Sequence, residues 1–390
     1  MQPENLKTAI QLRHALHRHP ELSMQEEWTR AHLQRFLETH TRLEIVDQGR
    51  WFYARYRSPA SILGPDQTPD QTPDQTPPIA FRADFDALPV EDNIDAAYRS
   101  ETPGVGHKCG HDGHAATLAA LALEIDHSGA ERDVYFIFQH AEEIGVGARE
   151  CADTLKAHAH SHKIEEIYAF HVFPGLPTGS VGLKTGLVHF ASKGLSMYFE
   201  GKQSHASMPE EGINPAFAIA RLIEQLENIR DIAARLNLQG TVLCTIVQVV
   251  LGEKAFGTSA GSGLLRLTLR AQYEAELERL QQDIEGHARQ EAARYGLHYR
   301  SEESDVFPET VNPNKSIQKV AAACGQIGIP VRHLPEAFRG SEDFGYYLKY
   351  HKGCIFFIGS GEESPGLHTT GFDFPDTLIE PAVEIFKALI

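Results

Sequence analysis

The stretch VYFIFQHAEE, residues 134–143, decides the architecture: five apolar residues and a glutamine run straight into a histidine and two adjacent glutamates. An apolar run without polar alternation suits a strand buried on both faces of a sheet. Three other runs share this texture: IAFRAD at 79–84, IYAFHV at 167–172 and CIFFIG at 354–359. AATLAALALEI, residues 115–125, lies between IAFRAD and VYFIFQ and is a strong helix former. Strands alternating with helices predict an α/β domain whose largely parallel sheet is flanked by helices. Residues 5–40 add two helices broken near Pro20, and RWFYARYRS adds a strand.

From 187 to 307 the texture changes. KGLSMYFEGK alternates as a half-exposed strand, and NPAFAIARLIEQLENI is an amphipathic helix opened by proline. TVLCTIVQVV and LLRLTLRAQ read as strands, EAELERLQQDIEGHARQEAARYG as a long helix ending at glycine, and LHYRSEESDVF as a last strand. That β-α-β-β-α-β order predicts an inserted α+β, ferredoxin-like domain. The expected organisation is an α/β domain of residues 1–186 plus 308–390, with residues 187–307 inserted in it. The tandem repeat DQTPDQTPDQTP, residues 66–77, followed by Pro78, supplies no apolar residues for a core and reads as a solvated loop.

The totals narrow the function. A formal net charge of −17 argues against nucleic acid or an anionic membrane surface as partner. No apolar run approaches a membrane span, and the N-terminal segment has no signal-peptide core. Five scattered cysteines fit reduced thiols better than a disulfide framework, so a cytoplasmic location is expected.

Polar residues gather where the apolar runs end. Asp84 and Asp86 follow IAFR, His140, Glu142 and Glu143 follow VYFIFQ, His171 ends IYAFH, and His368 lies beyond CIFFIG. Ligand sites of open α/β sheets form at the carboxyl ends of the strands. GHKCGHDGHAA, residues 106–116, delivers Cys109 and His111 to the same edge. Gly110 and Gly113 would allow backbone angles that other residues resist. Thiolate, imidazole and carboxylate donors together suit zinc, manganese or another first-row divalent ion. Two adjacent glutamates cannot easily point the same way, which invites one to bind metal and the other to act as a base.

With these motifs on the page, the chain resembles the amidohydrolases of the M20 metallopeptidase family, in the branch of hippurate hydrolases, auxin-conjugate hydrolases and N-acetyl-amino-acid deacetylases. The matching segments span almost the whole chain: LHRHPELSMQE, FRADFDALPV, GHKCGHDGHAA, FQHAEEIGVGA, AFHVFPGLPTG, GKQSHASMPEEGINP, FPETVNP, RGSEDFGYY and LHTTGFDFPD. The resemblance implies a binuclear centre held by Cys109, His111, Glu143, His171 and His368, with Glu142 as the base that activates water. It implies that Asp86 orients the centre, that Asp112 and His114 support it, and that His205 helps hold the reacting carbonyl. Asp112 alone would also serve as a helix N-cap. Arg270 falls at the position of the family's substrate-holding arginine.

The expected cofactors are two divalent ions, zinc or manganese first, with cobalt and nickel admissible. The expected substrate is a small N-acyl amino acid or short peptide. The inserted domain should close over the site on hinges near 184–187 and 310–313, and in relatives it also mediates dimerisation. One departure falls in that domain: where the family has an asparagine-containing segment, this chain has FGTSAGSG, with Gly257 at the asparagine position. A metallo-dipeptidase or aminopeptidase on the same scaffold is the alternative. A non-enzymatic metal-binding protein is more remote, because storage needs no spare glutamate beside a ligand.

Overall fold

The computed structural model describes residues 1–61, 76–157 and 164–390. Most of the DQTP repeat therefore lies outside the described residues. The chain divides into two units. The first comprises Met1–Val188, Val311–Ala337 and Asp343–Ile390, and the second comprises His189–Thr310 and Phe338–Glu342. The main crossings fall near 188 and 310. Sequence gave no sign of the short excursion Phe338–Glu342, which belongs to the second unit.

The four apolar runs form the middle of an eight-stranded sheet in the first unit. Its order is Glu44–Asp47, Phe52–Tyr56, Val134–Gln139, Ile79–Asp84, Glu166–Pro174, Lys352–Gly361, Val181–Leu183 and Val331–His333. The four central strands are mutually parallel. Every residue of Ile79–Asp84 and Val134–Gln139 is buried, as expected of strands covered on both faces. The Glu44–Asp47 and Phe52–Tyr56 strands run antiparallel at one edge.

Register explains why the site forms where it does. Asp84 pairs with Gln139, and Phe357 with His171, so the central strands finish together and present their following residues at one edge. The helix His111–Ser128 packs beneath them and is buried continuously from His111 to Ile125. Its run of alanines permits that close approach. The core joins this helix to Leu12 and Leu16 of the N-terminal helix Pro3–Arg18 and to Val383 and Phe386 of the C-terminal helix Ile379–Leu389.

The two glycines of the Cys-His loop serve different ends. Gly110 has φ of 89°, the left-handed region that suits glycine. Gly113 is needed for space instead: a Cβ there would lie 2.2 Å from the Phe374 ring. The expectation that both glycines are conformational is therefore corrected for Gly113. Asp112 is not the N-cap, which is Gly110; the aspartate lies inside the helix and turns back toward the N-terminal helix.

The second unit is a four-stranded antiparallel sheet, ordered Val242–Leu251, Ser262–Ala271, Ala191–Glu200 and His298–Phe307. The helices Ala216–Leu226 and Glu274–Tyr295 share its core through Leu222, Leu277, Leu280 and Ile284. The long helix ends at Gly296 in the left-handed conformation. The predicted helix beginning near Asn214 is broken at Glu227–Asn228 and continues as Ile229–Arg235.

Candidate metal centre

At the carboxyl edge of the parallel strands, side chains from four segments meet. Cys109 Sγ lies 3.4 Å from His171 Nε2 and 3.3 Å from His368 Nε2. Glu143 Oε1 lies 3.7 Å from His368 Nε2 and 3.8 Å from His111 Nε2. Donors at 2.0–2.3 Å from one tetrahedral ion stand about 3.3–3.6 Å apart, a spacing that the two Cys109 contacts match and the two Glu143 contacts slightly exceed. Of five clusters of closely spaced donors among the described residues, two share Cys109, namely Cys109–His111–His171 and Cys109–Glu143–His368, and a third joins His111 and Glu143 to Glu142.

Two of the atoms facing inward lack a hydrogen bond. His111 Nε2 and Glu143 Oε1 are buried without a hydrogen bond, a state that buried polar atoms rarely tolerate. Cations held among these donors would satisfy both, so the donor set fits divalent metal by its chemistry. His368 holds φ of 61°, unusual for a residue with a Cβ, and its N–H donates to Lys108 O at 2.7 Å. That bond draws the C-terminal segment onto the loop that carries Cys109.

The groups behind these donors fix their orientation. Asp86 Oδ1 and its own carbonyl lie 3.1 and 3.0 Å from His111 Nδ1, leaving Nε2 turned to the centre. Asp86 Oδ2 accepts the Glu143 N–H at 3.0 Å and the Ser23 hydroxyl at 2.7 Å. His114 is not positioned to bind metal: its Nε2 accepts the Val172 N–H at 3.1 Å, so Nδ1 carries the proton and donates to Asp84 Oδ1 at 2.7 Å. His171 Nδ1 lies 2.7 Å from Val172 O, which leaves its Nε2 for the centre. Glu142 is buried, with Oε2 4.0 Å from His111 Nε2 and Oε1 3.4 Å from the Asp343 N–H.

Asp112 supports the loop from behind, accepting from Arg13 at 3.2 Å and contacting His17 Nδ1 at 2.8 Å. His17 Nε2 continues to Asp92 at 3.1 Å, and Asp92 pairs with buried Lys108. Sequence reading assigned no role to Ser23, Arg13, His17, Asp92 or Lys108. The available signal was the LHRHPELSMQE motif, which places two of them in one match.

Charge in the centre is unbalanced in favour of a cation. Burial opposes protonation of His111, but Asp84, Asp86 and Glu143 outweigh it and push the imidazole up to about 10. Burial, reinforced by Asp86 and Asp84 and opposed by His111, raises Glu143 to about 7. Burial, then Glu143, Glu142 and Asp84, drive the Cys109 thiol upward. Burial and the neighbouring His114 and His111 hold His171 well below the usual histidine range. Without positive charge the centre therefore retains protons that bound cations displace.

In the second unit, His205 lies on the short strand Ser204–His205, paired with Thr258–Ser259 of the FGTSAGSG segment. Its Nδ1 accepts the Ser207 N–H at 3.1 Å, which leaves the proton on exposed Nε2. Gly257 contributes its carbonyl to the Ala206 N–H at 3.0 Å, and a Cβ there would meet nothing within 4 Å. Neither space nor backbone conformation thus demands glycine at that position. Arg270 is half-buried and donates to Arg339 O at 2.8 Å and Ser341 Oγ at 2.9 Å. Burial lowers its pKa, and no acid offsets this among the described residues.

Soft and hard donors gather at the carboxyl end of a parallel sheet with a further glutamate beside them, the donor chemistry of a metal-dependent hydrolase. The chain belongs to peptidase family M20/M25/M40, whose profile matches residues 80–390. It is 29% identical to the N-acetylcysteine deacetylase of Bacillus subtilis strain 168 over 386 residues, covering 97% of this chain and 95% of that protein. It is 30% identical to an N-acetyldiaminopimelate deacetylase of Shouchella clausii over 320 residues, covering 80% and 82% respectively. Among solved structures, a Bacillus subtilis dinuclear metal-binding peptidase of the M20 family superposes with a TM-score of 0.76 at 25% identity, covering 100% of this chain and 98% of that one.

Proposed function

We propose that the protein hydrolyses the amide bond of N-acyl amino acids, with two divalent cations at the centre and Glu142 as the proton-transferring base. The observation that carries this reading is the pair of donor groups joined by Cys109, with Glu142 outside both and within reach of His111 and Glu143. Cys109, His111 and His171 would hold one ion and Cys109, Glu143 and His368 the other, with zinc or manganese the best match to this mixed set.

Bound cations of this kind lower the pKa of water toward neutrality and polarise a carbonyl. Glu142 takes one proton from the attacking water as the C–O bond forms. It then returns that proton to the departing amine as the C–N bond breaks. The products are a carboxylic acid and a free amino acid. Asp86 acts through His111 and Glu143, holding the ring and the backbone in place. His205, with its proton on Nε2, suits stabilisation of the oxyanion, and Arg270 suits a substrate carboxylate.

The second unit serves in this reading as a closing lid hinged near 184–187 and 310–313, and as the surface for a homodimer. The five cysteines are unpaired, which suits the reducing cytoplasm. The N-acylated class is favoured over free peptides because both deacetylase relatives align with most of this chain.

The test is a panel of N-acetyl amino acids, hippurate and unblocked dipeptides, run on metal-free protein reloaded with zinc, manganese, cobalt or nickel. An N-acyl substrate is expected to exceed every dipeptide in kcat/KM by about 100-fold, the discrimination of a site built for one end group. Faster dipeptide cleavage would assign a peptidase instead. Bound metal without hydrolysis of any amide would leave a metal-binding protein.

A further inference from the structure

Glu26 closes the LHRHPELSMQE motif, and neither composition nor spacing gives it a task. It stands at the start of the helix Glu27–His40 yet makes no side-chain cap there. Its carboxylate is buried, and no cationic side chain pairs with it among the described residues. Instead Glu26 Oε1 accepts the N–H of Ala141 at 2.8 Å, across 115 residues of sequence.

That partner, and Met24 two residues before Glu26, are unusual in backbone conformation. Met24 has φ of 69° and Ala141 φ of 47°, the left-handed region that L residues adopt rarely and at a cost. Each stands next to a residue of the centre. Ser23, beside Met24, donates to Asp86 at 2.7 Å, and Asp86 holds His111 and the Glu143 backbone. Glu142, beside Ala141, is the base of the proposed reaction. The Ala141 carbonyl in turn accepts the N–H groups of Val146 at 3.2 Å and Gly147 at 3.1 Å. The strained residue is thus gripped at its nitrogen by Glu26 and at its oxygen by the following turn.

We propose that Glu26 is a positioning residue for the general base: it locks the left-handed turn at Ala141 that aims Glu142 into the centre. A buried carboxylate is costly to keep in the absence of a cation, and burial together with Asp86 raises this one to about 7. The Ala141 amide it receives recovers part of that cost and fixes an unfavourable conformation. Losing the carboxylate lets Ala141 relax toward ordinary backbone angles and carries Glu142 with it. The metal ligands are anchored separately, His111 and the Glu143 backbone by Asp86 and His171 by its neighbouring carbonyl.

This inference rests on Glu142 being the base, so Glu142→Gln is measured alongside. Glu26→Ala and Glu26→Gln are compared with the wild type for kcat, KM, metal content by elemental analysis and the midpoint of a cobalt(II) titration. Glu26→Ala is expected to lose about 100-fold in kcat, the scale of a misplacement of about 1 Å at a reacting group. Its KM should stay within about twofold, with metal content and cobalt midpoint unchanged. Glu26→Gln keeps one acceptor oxygen and should lose only about 3–10-fold in kcat. Adding Ala141→Gly to Glu26→Ala should recover part of the loss, because glycine adopts a positive φ unaided.

A Glu26→Ala kcat within about threefold of wild type would overturn the proposal, as would a loss that merely tracks lost metal. Should Glu26→Ala fail to fold, Glu26→Gln decides: its smaller loss at constant KM and metal content supports the role, and an unchanged kcat or a loss of metal refutes it. If Glu142→Gln is inactive while the Glu26 variants behave as wild type, only the positioning role fails. Full turnover by Glu142→Gln would remove the underlying base assignment.

Discussion

Glu142→Gln is expected to keep both metal ions and lose about 1000-fold or more in kcat, within the range that positioned acid–base groups contribute. The amide is nearly the same size, so it can keep contact with the Asp343 N–H, 3.4 Å from the wild-type Oε1. It cannot accept a proton from water or return one to the amine. The five proposed donors surround the centre without requiring Glu142, so elemental analysis should give wild-type metal content. Kinetics and metal content measured on the same preparation separate the two contributions. Substantial turnover in this variant would move the base to another group.

Cys109→Ala should fail differently, losing metal together with activity. The thiol belongs to both donor groups, 3.4 Å from His171 Nε2 and 3.3 Å from His368 Nε2. Its removal leaves two donors in each group. It also breaks the only sulfur link between the helix-start loop and the C-terminal segment among the described contacts. Binding should weaken by at least about 100-fold, beyond the 10–100-fold typical of losing a supporting contact alone. Elemental analysis after desalting should find under one metal per chain. Because burial and the surrounding acids push the free thiol upward, wild-type uptake must release a proton from Cys109. Proton release measured during zinc titration should therefore fall in the alanine variant. Retention of two tightly bound metals there would refute the shared role of the sulfur.

Much of the fold was readable because its central strands are buried on both faces. VYFIFQ and IAFRAD carry that burial in composition alone, and the alanine-rich helix between them is marked by propensity. Val181–Leu183 and Val331–His333 escaped because three residues carry no periodicity, and their place comes from neighbours distant in sequence. The split at Glu227–Asn228 was hidden by an apolar spacing that continues into the next helix. The excursion Phe338–Glu342 into the second unit leaves no local signature either.

The site was legible to the extent that its donors follow strands whose register brings their ends together. Cys109 and His111 were visible as a spaced pair, and Glu142 and Glu143 as an adjacent one. The groups behind them were not, because their partners are long-range: His17 meets Asp112 across 95 residues, and Glu26 meets Ala141 across 115. The role of Gly113 depended on Phe374, and the left-handed conformations of Ala141 and His368 have no marker in residues that are not glycine.

Anomalous diffraction from crystals of manganese- or zinc-loaded protein tests the central claim most directly. Two metal peaks are predicted, both bonded to Cys109 Sγ, one also to His111 and His171 and the other to Glu143 and His368. Peaks that bypass this sulfur, or fall away from these side chains, would contradict the account.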